Sequence, residues 1–299
     1  MMESNDQLAE NHSVAPDKPR LPRVSVLIPC YNTARFVAEA MESVFSQTYR
    51  DYEVVVVNDG SPDTPELEQA LAPWRDKITY VHTENCGLAG ARNNGIQASR
   101  GALIALLDSD DIWEPNFLQV LVGLLEEDPG IDVVYSDAVL FGLTDCQGQT
   151  LMDMFPPQEE ITFDSILSSR VWVFVVSCIV RREVLVRVGG FDQDLRYAED
   201  LDLWLRIAHA GSKFLPCSQP LVRYRKRAGS LTAECSPDQE IRRRIQLYEK
   251  LSDKLDLTPE QKRAIELVVQ RKKAEITGLK PAIRKFVWWV KASVKRIGS

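Results

Sequence analysis

The sequence predicts an α/β chain, with an open and mostly parallel sheet, flanking helices and a helical appendage at the C-terminus. Three observations carry this. Val24-Ser25-Val26-Leu27-Ile28 is a β-branched, apolar run. Val54-Val55-Val56-Val57 places four valines in succession, which suits a strand buried on both faces of a parallel sheet. Stretches of helical periodicity separate such runs, and repeated βα units of this length wind right-handed.

Residues 1–22 read as a disordered lead-in broken by Pro16, Pro19 and Pro22. The α/β domain is expected over 23–235 and a helical tail over 236–299. The first strand ends at Pro29. Asn32 or Thr33 caps a helix with an apolar stripe of Phe36, Val37, Ala40, Met41, Val44 and Phe45. The valine strand follows, then a third strand at Ile78–Val81 and a small-residue helix from Leu88 to Ser99. A fourth strand, Leu103–Leu107, runs straight into Asp108. Beyond it the spacing predicts a helix near 115–127, a strand at Val133–Tyr135 and an irregular stretch over 142–165. An apolar strand from Trp172 to Val180, a helix over about 199–210 and extended chain over 213–224 complete the domain.

Composition narrows the function. Apolar residues make up 44% of 299, enough for a sizeable core. The net charge of −7 argues against a nucleic-acid binder. Lys280 to Ser299 carries six cations and no acid, which leaves the remaining chain at −13. Such asymmetry marks a tail with its own partner. Cys30, Cys86, Cys146, Cys178, Cys217 and Cys235 form no CxxC pair, and with three histidines no zinc spacing arises. Scattered cysteines, a polar N-terminus without an apolar signal core and the lack of an 18-residue apolar run predict a cytosolic body.

In an open α/β sheet ligands bind beyond the C-terminal ends of the strands, so the residues that follow each strand are the candidates. Pro29-Cys30-Tyr31-Asn32 follows the first strand. It lacks GxGxxG and a phosphate-cradling Gly-rich loop with Lys, which excludes nicotinamide, flavin and nucleotidyltransferase fingerprints. Tyr31 could pack on a base; taken alone, the segment reads better as a plain turn with a helix cap. Asn58-Asp59-Gly60-Ser61 follows the second strand: a carboxylate here can accept from a nucleobase N–H, or it can make an ordinary Asp-Gly turn. Arg92 lies in a glycine-spaced helix after the third strand and could pair with phosphate. Asp108-Ser109-Asp110-Asp111 follows the fourth strand and is the strongest local signal. Three carboxylates in four residues repel one another unless a cation joins them, and oxygen-only ligands suit Mg2+ or Mn2+. A lone D-x-D is common by chance; one ending an apolar strand is more specific. Glu199-Asp200 opens a helix, either as dipole partners or with a general base. Arg223-Tyr224-Arg225-Lys226-Arg227 could cover a diphosphate or form a solvated turn.

The ordered series VSVLIPCYN, VVVVNDGS, NCGLAGARNNGI, ALLDSDD, GGFD and AEDLDLW resembles the family 2 glycosyltransferases, from Val24 to about Ser230. The resemblance implies the Rossmann-like GT-A fold and a nucleotide-diphosphate sugar as donor. It implies that Pro29, Tyr31 and Asp59 line the nucleoside pocket and that Arg92 helps to hold the donor. Asp108 and Asp110 would hold Mg2+ or Mn2+, with Asp110 the direct ligand. Asp200 would be the catalytic base, with Glu199 beside it, in a single inverting displacement. The Q-x-x-R-W motif of processive members is absent, which implies single addition. Many relatives carry a metal-ligating His near the domain end; here Arg227 stands there, within YRKRAGS, and could contact the diphosphate instead.

The expected function is therefore a non-processive, inverting transferase that places a sugar on a hydroxyl of a glycan or lipid-linked acceptor, in cell-surface glycan synthesis. A polyprenyl-phosphate sugar transferase and a catalytically silent nucleotide-sugar-binding scaffold are the alternatives. Specificity is expected in 142–180. On a helix, Ile283, Phe286, Val287, Val290, Val294 and Ile297 form one stripe, flanked by Trp288-Trp289 and basic residues. That pattern predicts peripheral contact of 280–299 with the inner face of the cell membrane.

Overall fold

A computed structural model describes residues 21–143, 145–156, 160–230 and 236–276. Its first half alternates strand and helix: β1 (Val24–Cys30), α1 (Ala34–Phe45), β2 (Tyr52–Asp59), α2 (Thr64–Leu71), β3 (Thr79–Thr83), α3 (Gly87–Ala98) and β4 (Leu103–Leu106). The second half is less regular. It contains β5 (Ile112–Trp113), α4 (Phe117–Glu127), β6 (Val133–Gly142), α5 (Leu151–Met154), α6 (Phe163–Leu167), β7 (Cys178–Arg181), α7 (Arg182–Arg187), α8 (Glu199–His209) and β8 (Phe214–Lys226). Two helices follow, α9 (Pro237–Lys254) and α10 (Pro259–Ile276).

The strands form one sheet in the order β3-β2-β1-β4-β7-β6-β8-β5. Pairs β3-β2, β2-β1, β1-β4 and β6-β8 are parallel. Strand β7 runs antiparallel to both β4 and β6, and β5 runs antiparallel to β8. The winding reverses between β1 and β4, so the ends of β1, β2 and β4 open on one crevice. Every residue of β1 is buried, as are Val54–Val57 of β2, because helices cover both faces. Register sets Cys30 opposite Asn58 and Leu27 opposite Leu106, so Tyr31, Asp59 and Asp108 emerge at one end. Gly95 of α3 rests directly on the Leu27 side chain; any Cβ there would push the helix off the sheet.

Several elements differ from the sequence expectation. Helix α2 follows Asp63 with Pro65 in its first turn, and α5 and α6 lie inside the stretch expected to be irregular. Each is short, and α6 is held by a capping box between Thr162 and Ser165. The strand expected over Trp172–Val180 is confined to Cys178–Arg181; Val175–Ser177 is a 3-10 turn and 171–174 pairs with no strand. The apolar run is the same in either conformation, and only the position of β6 decides which part pairs. Thr33 does not cap α1: its hydroxyl meets Ser109 Oγ at 2.8 Å, and Asp63 Oδ2 accepts from Ala34 N at 2.8 Å in its place.

Helices α9 and α10 pack on the α/β body. Ile245, Leu247, Tyr248, Leu251, Ile265 and Val269 join the same core as the sheet. No helix among the described residues is long and apolar enough to cross a membrane. The expected amphipathic segment 280–299 lies outside the described residues.

Candidate functional site

The crevice is built from the strand ends. Pro29 is the buried penultimate residue of β1, and Tyr31 just beyond it is 51% exposed. Asn32 takes a left-handed conformation (φ 54°), and its N–H donates to Ser61 Oγ at 2.7 Å, folding the β1 and β2 loops together. Asp59 is 2% exposed, and its Oδ1 accepts from Cys86 N at 2.8 Å, which fixes the carboxylate plane. Gly60 (φ 58°) must be glycine, since a Cβ would lie 2.7 Å from Asn85 N.

Arg92, on α3, is 1% exposed. Its Nη2 donates to Asp108 Oδ1 and its Nη1 to Glu199 Oε1, both at 2.8 Å. The guanidinium lies 5.2 Å from the Phe191 ring centroid. Burial alone would lower its pKa, but the charges of Asp108 and Glu199 outweigh that and raise it, so the cation is permanent. One buried charge thus joins the end of β4 to the start of α8.

The acidic turn after β4 is closed by Asp111 N donating to Asp108 O at 3.0 Å. Asp110 Oδ2 accepts from Arg227 Nε at 2.5 Å, and Asp110 O from Arg225 Nε at 2.7 Å. Asp111 Oδ1 accepts from Arg225 N at 2.7 Å, while its buried Oδ2 has no partner. Burial, then the charges of Asp110 and Asp108, push the Asp111 carboxyl well up. Burial and Asp108 also raise Asp110, offset by Arg227. The turn therefore crowds three carboxyl groups whose mutual repulsion Arg92 and Arg227 relieve only in part. The oxygen donors and that residual repulsion fit a divalent cation. No group of three His, Cys, Asp or Glu side chains among the described residues could hold one alone. A cation here would complete its shell with water and ligand phosphates, the usual habit of Mg2+.

Glu199 and Asp200 are presented by strain. Ala198, immediately before them, is left-handed (φ 57°) without being glycine. Such residues cost on the order of 1–3 kcal/mol and collect at functional sites. Upstream, Gly190 (φ 71°) packs against Asn93, whose amide bonds both ways with the Phe191 backbone at 2.8 and 2.9 Å. Arg206 of α8 donates to Val188 O at 2.7 Å and Gly190 O at 2.8 Å, clamping the loop to the helix. Burial, then the charge of Asp200, raises Glu199 to about 7 against the pull of Arg92. Asp200 is also raised by burial, with Arg92 opposing. Its Oδ1 accepts from Leu201 N at 2.7 Å.

The structure therefore brings Arg92, Asp108 and Glu199 into direct contact, and Asp110 with Arg227. Tyr31 and Asp59 stand on neighbouring strand ends. Sequence reasoning named Asp111, Arg225 and Tyr224 only as parts of their runs and gave them no role of their own. Burial, then the charges of Asp111, Asp108, Asp110 and Asp200, raise the Tyr224 phenol. The alternation Arg223, Arg225, Arg227 was the available signal. These guanidinium groups interleave with rings: Arg223 and Arg225 over Phe141 at 4.7 and 4.4 Å, Arg225 and Arg227 over Phe36 at 4.9 and 5.3 Å.

The chain is similar to known proteins in sequence and in fold. An uncharacterized glycosyltransferase of Rickettsia prowazekii is 31% identical over 217 residues, covering 71% of this chain and 66% of its own length. The uncharacterized glycosyltransferase EpsJ of Bacillus subtilis is 30% identical over 221 residues, 71% of this chain and 63% of EpsJ. A Rickettsia felis glycosyltransferase matches at 33% identity over 62% of this chain, but only 31% of its own length is covered. The chain thus spans between 31% and 66% of the length of these relatives. Among solved structures, S. aureus TarS 1-349 in complex with UDP superposes with a TM-score of 0.66 at 20% identity, covering 89% of this chain and 78% of TarS. Mannosyltransferase PcManGT from Pyrobaculum calidifontis, in complex with GDP-Man and Mn2+, gives 0.60 at 20% identity, over 94% and 82%. The fold is GT-A. The family model for glycosyl transferase family 2 matches residues 25–187, more than half of the sequence, and the chain belongs to that family.

Proposed function

We propose that this glycosyltransferase is inverting and non-processive, and that it moves a sugar from a nucleotide-diphosphate sugar to a hydroxyl acceptor in cell-surface glycan synthesis. The Arg92 bridge between Asp108 and Glu199 carries the reading, because it joins a donor-side carboxylate to the helix that holds a base. Pro29, Tyr31 and Asp59 line the nucleoside pocket. The exposed Tyr31 ring offers a stacking face, and the fixed Asp59 carboxylate accepts from a base N–H. The nucleotide complexes of TarS and PcManGT support a donor of this class.

Asp110 and Asp108 would hold Mg2+ or Mn2+, which supplies charge neutralisation for the departing diphosphate. Arg227 neutralises Asp110 and stands ready for the diphosphate itself. Arg92 acts as a positioning residue, since both its terminal nitrogens are taken by carboxylates. Glu199 is held by Arg92, which leaves Asp200 as the base. Asp200 takes the proton as the acceptor oxygen bonds to C1. The C1–O bond to the diphosphate breaks, and the diphosphate leaves with the electron pair. One displacement from the opposite face inverts C1. Burial that raises Asp200 makes it a stronger base. The basic, Trp-bearing 280–299 segment supports peripheral membrane contact and a glycan or lipid-linked acceptor.

The test is nucleoside-diphosphate release from UDP-, GDP- and dTDP-sugars with Mn2+ or Mg2+. Turnover of one donor, lost in Asp110→Ala and reduced about 10²–10⁴-fold in Asp200→Ala, is the expected result. Full activity in Asp200→Ala would favour a lipid-phosphate acceptor, which needs no base. Tight donor binding without turnover would leave a scaffold.

A further inference from the structure

The second half of the chain carries a row of aromatic rings that the donor-side carboxylates do not use. Phe155 and Trp172 stack with centroids 4.9 Å apart and planes 26° from parallel. Trp172 and Phe174 follow at 6.2 Å and 26°, and Phe174 meets Tyr224 at 6.3 Å. All four are half-buried. Burial alternates along the segment: Val171, Val173 and Val175 are in the core, while Trp172 and Phe174 between them stay partly exposed.

Two indole hydrogen bonds pin this segment. Trp204 Nε1 donates to Val173 O at 3.0 Å, and Trp113 Nε1 to Val176 O at 2.9 Å. Trp204 lies on α8, one turn beyond Asp200. The row is therefore fixed to the helix that presents the base. Its inner end, Tyr224, feels the charges of the acidic turn and of Asp200. From the other side, the Arg244 guanidinium of α9 sits 4.9 Å from the Trp172 centroid, and its charge also acts on Asp200.

A rigid, partly exposed aromatic row costs little ordering entropy when it binds, and its open edge is apolar and bordered by the Arg244 guanidinium. A pyranose ring is its complement, with a C–H face for the rings and a hydroxyl rim for polar groups. We propose that Trp172 and Phe174 form the acceptor subsite, against which a pyranose of the acceptor lies with one hydroxyl directed to Asp200. The subsite rests on the transferase reading above. It names the acceptor as a sugar ring, whether on a lipid carrier or in a soluble oligosaccharide.

The experiment is direct binding, independent of turnover. The full-length protein with UDP or GDP is applied to an array of defined mono- and oligosaccharides, and hits are titrated by calorimetry. Wild type is expected to bind at least one pyranoside. Trp172→Leu and Phe174→Leu should each weaken that binding about tenfold, and Trp172→Phe, which keeps a stacking face, should restore most of it. Circular dichroism identifies any variant that fails to fold, and the other position then decides. Soluble and lipid-linked forms of the bound sugar distinguish the acceptor's source. The proposal is overturned if wild type binds no pyranoside, if both leucine variants bind as wild type does, or if only polyprenyl-phosphate vesicles bind. Failure of the transferase reading looks different: pyranoside binding persists while no donor is bound or turned over.

Discussion

The β1–β4 half and the β6–β8 half place their functional residues by different means. In the first half, Tyr31, Asp59 and Asp108 each follow a buried parallel strand, and register alone aligns them. In the second half, no parallel strand ends at Glu199-Asp200. A left-handed Ala198, the Arg206 clamp and the buried Arg92 hold that pair instead. Trp172 and Phe174 likewise sit on unpaired chain held by two indoles. The lesson is that a donor site can be made by repetition of one local unit, whereas the acceptor side is assembled from single long-range contacts. Each such contact is a point at which the halves can be separated.

Arg92 is the joint between them, and its removal should have the largest effect. Arg92→Ala leaves the buried Glu199 and the partly exposed Asp108 uncompensated, at a cost of about 3–5 kcal/mol. Scanning calorimetry should show a melting point lowered by roughly 10 °C, and transfer should be lost together with stability. Arg92→Lys, with a single point charge, should recover part of the stability but little activity, since it cannot span both carboxylates. A melting point unchanged in Arg92→Ala would mean that the halves do not depend on this joint.

The base offers a second way to sharpen the contrast. Asp200 must be ionised to accept a proton, and burial raises its pKa. Activity should be complete above that raised pKa and fall as pH drops through it. The acid limb of kcat/KM should therefore lie above the ordinary aspartate value of about 3.9. An acid limb at or below that value would remove Asp200 from the role.

The smallest effect tests strain. Ala198→Gly relieves a left-handed alanine, so stability should rise by about 1 kcal/mol. A helix start held less firmly should lower kcat several-fold while donor affinity is retained. Equal or higher kcat would mean that Ala198 does not orient the pair.

Much of the first half was legible in the sequence because its signals are local. Four valines mark a two-sided strand wherever they lie, and D-x-D after an apolar run reads as a strand end. The family resemblance extended this to Arg92, Asp200 and Arg227. The second half was less legible for a physical reason. Leu151–Met154 and Phe163–Leu167 are too short to show a period, and Trp172–Val180 is apolar enough to be strand or packed coil.

By itself, then, the sequence determined a mostly parallel α/β sheet, the strand ends that bear polar groups and the acidic turn at Asp108–Asp111. Periodicity and β-branched runs act over a few residues and need no knowledge of the rest of the chain. Only the tertiary structure decided that Arg92 faces inward between two carboxylates and that Arg227 closes on Asp110. It also decided that the chain carrying Trp172 and Phe174 is pinned to α8. Those outcomes depend on groups 16 to 117 residues apart in the chain, whose meeting is set by how the sheet closes and not by any local preference.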